Sequence, residues 1–317
     1  MKRALLIGID QYNHFNALSG CVNDVDAIEP LLARNEDSSP NFDCQKRTTV
    51  SGGVMRDALL TDVDTLLSGG ADVALLYFAG HGQSRDHDVV LVSQDGTTTT
   101  AGIALSEIMA KVTASPVKEV ILILDCCFAG AAAGVPQLGI SAASLKNGVS
   151  LLTASRGDQG AAETPAGRGQ FSTYLGGALE GGAADVLGRT TVGGLYAYLD
   201  ESFGPWEQRP VFKANVERLH DLRTCKPAVP LTDLRRLPEF FTTADHEIPL
   251  DPSYEPEADP PNPDHEAVFG ILQKYRAAKL VEPVDEEHMY FAAMNSKGCR
   301  LTPLGQHYLH LAQESRF

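Results

Sequence analysis

Four short runs of almost unbroken apolar residues recur along the chain: RALLIGI (3–9), DVALLYFAG (72–80), EVILILD (119–125) and GVSLLTA (148–154). None alternates polar with apolar, so each reads as a strand buried on both faces. Between them, CVNDVDAIEPLLARN (21–35), GVMRDALLTDVDTLLSG (53–69) and ALSEIMAKV (104–112) carry helical periodicity, with Pro30 bending or beginning the first. NFDCQKRTTV (41–50) and QRPVFKAN (208–215) read as two further strands. Helices inserted between doubly buried strands require a mostly parallel sheet covered on both faces. In such sheets, reactive groups gather beyond the carboxyl ends of the strands.

Two of the runs end in residues with chemistry. ALLYFAGHGQ (74–83) closes on His81 between two glycines, and ILILDCCFAG (121–130) on Asp125, Cys126 and Cys127. Alone, His81 reads equally as a loop histidine used for packing, and Cys127 as a small buried residue. Together, at the ends of two buried strands, they supply the thiol and the imidazole base that a cysteine peptidase needs. Gly80 and Gly82 leave the backbone free to turn. The backbone N–H groups of Gly82 and Cys127 are candidates for an oxyanion hole.

Composition narrows the remaining classes. The chain has 317 residues, 43% of them hydrophobic, and a formal charge of −15. Such a balance disfavours general attraction to nucleic acid or anionic membrane. No run approaches the roughly 18 consecutive apolar residues of a membrane span, and the opening MKRALLIGID is too short in its apolar part for a signal peptide. A cytoplasmic protein is expected. Six cysteines (21, 44, 126, 127, 225 and 299) show no CxxC spacing and no zinc-like cluster, so free thiols are expected.

Composition shifts at residue 244. Residues 244–266 hold eight acidic residues, six prolines and no lysine or arginine, which reads as an extended, self-repelling linker. The resulting division is a domain at 1–243, a linker at 244–266 and a small unit at 267–317. In the last unit the pattern predicts a helix, a turn at VDEE, a strand-like MYFAAM, a turn at SKG and a helix opened by Thr302 and Pro303. Its FGILQKYRAAKLVEP and LTPLGQHYLHLAQ segments are similar to small winged-helix-like modules. Six Lys/Arg against five Asp/Glu make a poor phosphate footprint, so a protein contact is favoured over nucleic acid. His288, His307 and His310, with His265 at the boundary, offer no tetrahedral metal set.

RALLIGIDQY, LSGCVNDVDAI, LLYFAGHGQ and ILILDCCFAG, in that order, resemble the successive signatures of the caspase-like peptidase clan, specifically its metacaspase and bacterial orthocaspase branch. The resemblance covers roughly residues 1–215. It implies a six-stranded, mostly parallel sheet flanked by helices, here followed by the winged-helix-like unit. It also implies a Cys–His dyad: His81 as base, Cys127 as nucleophile, Cys126 at the variable position between Asp125 and Cys127. Phe128-Ala129-Gly130 stands where the family has His-Ser-Gly, outside the dyad.

The same resemblance assigns the pocket for the residue before the cut bond (P1) to Asp24 and Asp125, with Cys21 also lining it. Two converging carboxylates favour a basic side chain and would reject aspartate, and arginine offers a bidentate fork. Ala79 replaces a serine common in the family, one polar group fewer. The expected substrate is therefore a protein or peptide with Arg, or else Lys, at P1. No cofactor is required; calcium is the one candidate, with Asp86, Asp88 and Asp95 a thin donor set for an ion that takes six to eight oxygens. The stretch 153–179 contains Arg156 and Arg168 as exposed candidates for cleavage by the same or another copy, or else is a substrate-cleft loop that is never cut; a helix follows from Phe171, capped by Ser172. A monomer is expected. The resemblance also points to a role in a bacterial defence or programmed-death circuit. A catalytically silent scaffold that recruits partners through residues 267–317 is the competing class.

Overall fold

The computed structural model describes residues 1–85, 88–126, 128–129 (backbone only), 145–154, 167–204, 209–217 and 219–317. They form two compact units, residues 1–184 with 189–225, and residues 185–188 with 226–317.

The first unit begins β1 (Lys2–Gly8), α1 (Cys21–Ala33), β2 (Phe42–Thr48), α2 (Arg56–Leu66) and β3 (Val73–Ala79). Three short strands follow, β4 (Gly82–Arg85), β5 (Asp88–Val92) and β6 (Gly102–Ala104), then α3 (Leu105–Ala114) and β7 (Glu119–Asp125). Next come β8 (Phe128–Ala129), β9 (Val149–Thr153), α4 (Gln170–Gly177), β10 (Arg189–Thr190), α5 (Val192–Ser202), β11 (Val211–Asn215) and β12 (Arg223–Thr224). The central sheet has six strands in the order β11-β9-β7-β3-β1-β2. All neighbours are parallel except the edge pair β11–β9.

The unbroken apolar runs are explained by two cores. Alternate residues of the same strands enter opposite faces: Leu5, Leu76, Phe78, Leu122 and Leu124 meet α2 and α3 on one side. Leu6, Leu75, Tyr77, Ile121 and Ile123 meet α1, α4 and α5 on the other. Every residue of β3 is buried, so no position of that strand can be polar without a partner. Pro30 lies inside α1 rather than at its start.

A second, four-stranded sheet, β6-β5-β4-β8, was not legible in sequence. It begins where β3 and β7 leave the central sheet. Helix α4 starts at Gln170 with Gly169 as its cap residue. Ser172 does not cap it; fully buried, it bonds to Tyr77 and Asp125.

The second unit opens with α6 (Leu231–Leu234), α7 (Leu237–Phe240) and β13 (Glu247–Pro249). It continues with α8 (Pro263–Ala277), β14 (Val281–Pro283), α9 (Met289–Met294), β15 (Gly298–Leu301) and α10 (Pro303–Gln313). Helices and a three-stranded antiparallel sheet, β13-β15-β14, give it a winged-helix-like layout. Its boundary falls earlier than composition indicates. Leu234, Leu237 and Phe241 are fully buried in this unit's core, and Ile248 and Leu250 of the acidic stretch join it. Tyr254 of that stretch stacks on His265 at 4.2 Å. Proline and acid at exposed positions leave the apolar residues between them free to pack. MYFAAM is a helix, not a strand: Met289, Ala292 and Ala293 are buried at helical spacing. Thr302 caps α10 as expected, its hydroxyl accepting from the Gly305 N–H at 3.1 Å.

Leu122, 1% exposed at the centre of β7, should tolerate truncation poorly. Leu122→Ala is expected to lower stability by about 2–5 kcal/mol in urea unfolding followed by circular dichroism. Val50→Ala, at an 83% exposed position, should stay within about 0.5 kcal/mol of wild type.

Candidate active site

The strand order 2-1-3 places a topological switch between β1 and β3. Chain leaving β1 turns one way and chain leaving β3 the other, which opens a crevice beyond their carboxyl ends. Three segments meet there: the loop after β1, the end of β3 running into His81, and the end of β7 at Asp125.

His81 is oriented by the loop after β1. Its backbone N–H donates to the Tyr12 hydroxyl at 2.8 Å, and the two rings lie 4.8 Å apart. Its Nε2 lies 2.8 Å from the Asn16 carbonyl oxygen. A carbonyl only accepts, so Nε2 carries the proton and, in the neutral ring, Nδ1 holds the lone pair. Gly80 is required by this arrangement, because a Cβ there would sit 2.7 Å from the Tyr12 hydroxyl oxygen. Burial raises the Tyr12 phenol, which keeps it protonated. Tyr12 and Asn16 were missed in sequence; the only signal was a polar run, QYNHFN, directly after the first buried strand.

Parallel registers bracket the motif that follows. Ala79 pairs with Asp125 in the central sheet, and Gly82 pairs with Phe128 in the second sheet. The Gly80 N–H donates to the Asp125 carbonyl at 3.2 Å between them. The same offset therefore holds on both sides of His81. Cys127 lies outside the described residues. Cys126 is 2% exposed and packs in the core beneath the sheet, so it serves as a small hydrophobe. Gly82 is buried and begins β4.

Asp24 and Asp125 converge. Asp24, one turn into α1, is 2% exposed, and a Cβ on Gly169 would sit 3.1 Å from an oxygen of each carboxylate. The helix start is held by Asp10, whose carboxylate accepts from the N–H groups of Cys21 at 2.9 Å and Val22 at 3.3 Å. Asp10, unnoticed in sequence, thus supplies the negative charge that a helix N-terminus favours. Burial and then the Asp125 charge raise the Asp24 carboxyl to about 7, against a bond from Gly169 and the Arg168 guanidinium, which lower it. Burial raises Asp125 to about 6 although Ser172 donates to it. Cys21 stands beside the pair, its thiol pushed up by burial and by Asp10. Ala79 is buried at the end of β3 and adds no polar group.

Arg168 is not exposed. Its Nε lies 3.3 Å from Asp24, its Nη2 donates to the Ser172 carbonyl at 3.0 Å, and its side chain is 24% exposed. Arg156 lies outside the described residues, as does Asp86. Asp88 accepts from Ser106 and the Val89 N–H. Asp95 accepts from Ser93 and the Arg56 N–H. Both carboxylates fasten local structure, and among the described residues no group of three His, Cys, Asp or Glu gathers as a metal set.

A mostly parallel sheet with an antiparallel edge strand thus carries a histidine and two converging carboxylates at its switch point. The chain belongs to the caspase domain family, whose model matches residues 1–217. Among solved structures, protein GSU0716 from Geobacter sulfurreducens is similar at a TM-score of 0.53 and 13% identity, over 71% of this chain and 99% of that one. Caspase-1 from Spodoptera frugiperda is similar at 0.50 and 10% identity, over 71% and 90%. At those identities the likeness concerns the fold. No curated protein matches. Among the described residues no helix is long and apolar enough to cross a membrane.

The acidic pair has a measurable consequence. Folding lifts Asp24 from 3.8 to about 7, so between those values the folded state binds more protons than the unfolded one, and stability falls as pH rises. Asp24→Asn lacks that fall. Its stability relative to wild type should improve between pH 4 and pH 8, by about 4 kcal/mol at most, in thermal or urea unfolding across that range. A difference that stays flat with pH would contradict the burial of an ionising carboxylate here.

Proposed function

We propose that the chain is a cysteine endopeptidase of the metacaspase and orthocaspase branch, cleaving proteins after arginine and, less readily, lysine. The observation that carries this reading is the convergence of buried Asp24 and half-buried Asp125 at the crevice into which His81 emerges, with the Arg168 guanidinium already on Asp24. Carboxylates so close repel, and a cation between them relieves that cost.

In this mechanism His81 takes the Cys127 thiol proton on Nδ1, while the Asn16 carbonyl holds Nε2–H and stabilises the imidazolium. The thiolate attacks the carbonyl after the basic residue, whose side chain lies between Asp24 and Asp125. Backbone N–H groups of Gly82 and Cys127 receive the oxyanion. His81 then passes its proton to the leaving amine, and water resolves the acyl-enzyme by the reverse path. The matched registers on either side of His81 support the pairing of these two residues.

The second unit is read as a protein-contact module, the whole chain acting as a cytoplasmic monomer in a defence or cell-death circuit. Tyr290, Phe291, Met294 and Leu304 are exposed on α9 and α10, and such apolar groups favour a protein partner over nucleic acid.

Peptides differing only in Arg, Lys, Asp or Ala before a fluorogenic group test the assignment. Turnover is expected after Arg and Lys, absent in Cys127→Ala and reduced at least about 100-fold in His81→Ala. For the Arg peptide, KM should rise as pH drops below about 7, as Asp24 and then Asp125 take up protons. Among the described residues, Asp10, Cys21, Tyr77 and Arg168 are titratable or charged groups around that pair. Cleavage after Asp would defeat the pocket assignment.

A further inference from the structure

The acidic pair is not vacant. Residues 167–172, leading into α4, lie across it and supply three kinds of donor to the two carboxylates. The Arg168 guanidinium reaches Asp24 at 3.3 Å. The Gly169 N–H reaches both Asp24 oxygens at 3.2 and 3.1 Å. The Ser172 hydroxyl donates to Asp125, with Tyr77 2.5 Å behind it. The segment is pinned at its start as well, since Asn23 donates to the Gly167 carbonyl at 3.1 Å and Gly167 takes a φ of 67°.

These contacts decide how much more the site can take. Arg168 and the Gly169 N–H already donate to Asp24, so a second guanidinium must compete with them for that carboxylate. Removing Arg168 with nothing in exchange would leave buried Asp24 without its cation, with the Asp125 carboxylate still close by, which is costly. Exchange of one guanidinium for another keeps the charge balanced.

Nor is Arg168 placed as a substrate. A residue about to be cut sends its side chain into the pocket while the following amide nitrogen faces the acid that protonates it. Here the Arg168 guanidinium and the Gly169 amide nitrogen both meet the same carboxylate, Asp24. The Arg168–Gly169 bond therefore lies against the pocket carboxylate itself.

On the reading of an arginine-specific pocket given above, we propose that Arg168 is a resident competitor: an internal guanidinium that the basic side chain of a substrate must displace. It sets the threshold for substrate binding and favours arginine over lysine, because only a guanidinium replaces the forked donors that leave.

The probe is Nα-acetyl-arginine methylamide, which carries one guanidinium between uncharged ends. Its affinity is measured by calorimetry on the full chain in the Cys127→Ala background. Adding Arg168→Ala is expected to tighten binding about tenfold or more, Arg168→Gln to do the same, and Asp24→Asn on top of either to abolish the gain. Equal affinity with and without Arg168 overturns the proposal. A measurement without substitution at 168 guards against misfolding: the Arg168 Nε–H resonance should shift as the probe saturates the Cys127→Ala protein, and saturation without that shift is equally fatal. Hydrolysis after arginine by wild type, with probe affinity unchanged in Arg168→Ala, retires the resident competitor alone. Tightened probe binding without hydrolysis by any variant retires the peptidase and keeps the competitor.

Discussion

The parallel pairing of β3 with β7 is the constraint on which the rest of the site depends. Seven consecutive pairs, from Val73 with Glu119 to Ala79 with Asp125, bring both strands to the same level at their carboxyl ends. Both strands are buried on both faces, so a slip of one residue would move every side chain into the opposite core. Packing thus dictates register, and register dictates that the segment leading to His81 and the end of β7 at Asp125 emerge together. The short β4–β8 pairing carries the same alignment past the sheet edge.

The second constraint is electrostatic. A fold this apolar does not bury two carboxylates without partners, and those of Asp24 and Asp125 come from unlike sources: a hydroxyl, a backbone amide and one guanidinium. Each belongs to the residues entering α4, so the helix that covers one face of the sheet also satisfies the site. Asp10 does related work at the start of α1, where its carboxylate holds the two N–H groups beside Asp24. Two carboxylates this close are a liability to the fold, and the donors of residues 168–172 offset it.

The C-terminal unit shows why composition is a weak guide to boundaries. Eight acids and six prolines over 244–266 read as a linker, yet Ile248 and Leu250 are enough to add that stretch to a packed core. MYFAAM misled in the other direction. A six-residue apolar run has no clear period, and only its burial at helical spacing distinguishes helix from strand.

Amino-acid order alone determined the sheet and its layers. Runs such as VALLYFA and EVILILD, set between longer stretches of helical period, read as strands buried on both faces and the stretches between them as covering helices. It also marked His81, Asp125 and Cys127 at the ends of apolar runs, whereas the pocket role of Asp24 and Asp125 came only from the family resemblance. What waited for tertiary structure were contacts between segments distant in the chain. Asn16 and Tyr12 orient His81 across 65 and 69 residues. Arg168 reaches Asp24 across 144, and Ser172 reaches Asp125 across 47. A local pattern records which face of an element is apolar. It does not record which side chain from elsewhere will meet a buried charge, because that depends on where the covering helices come to rest on the sheet.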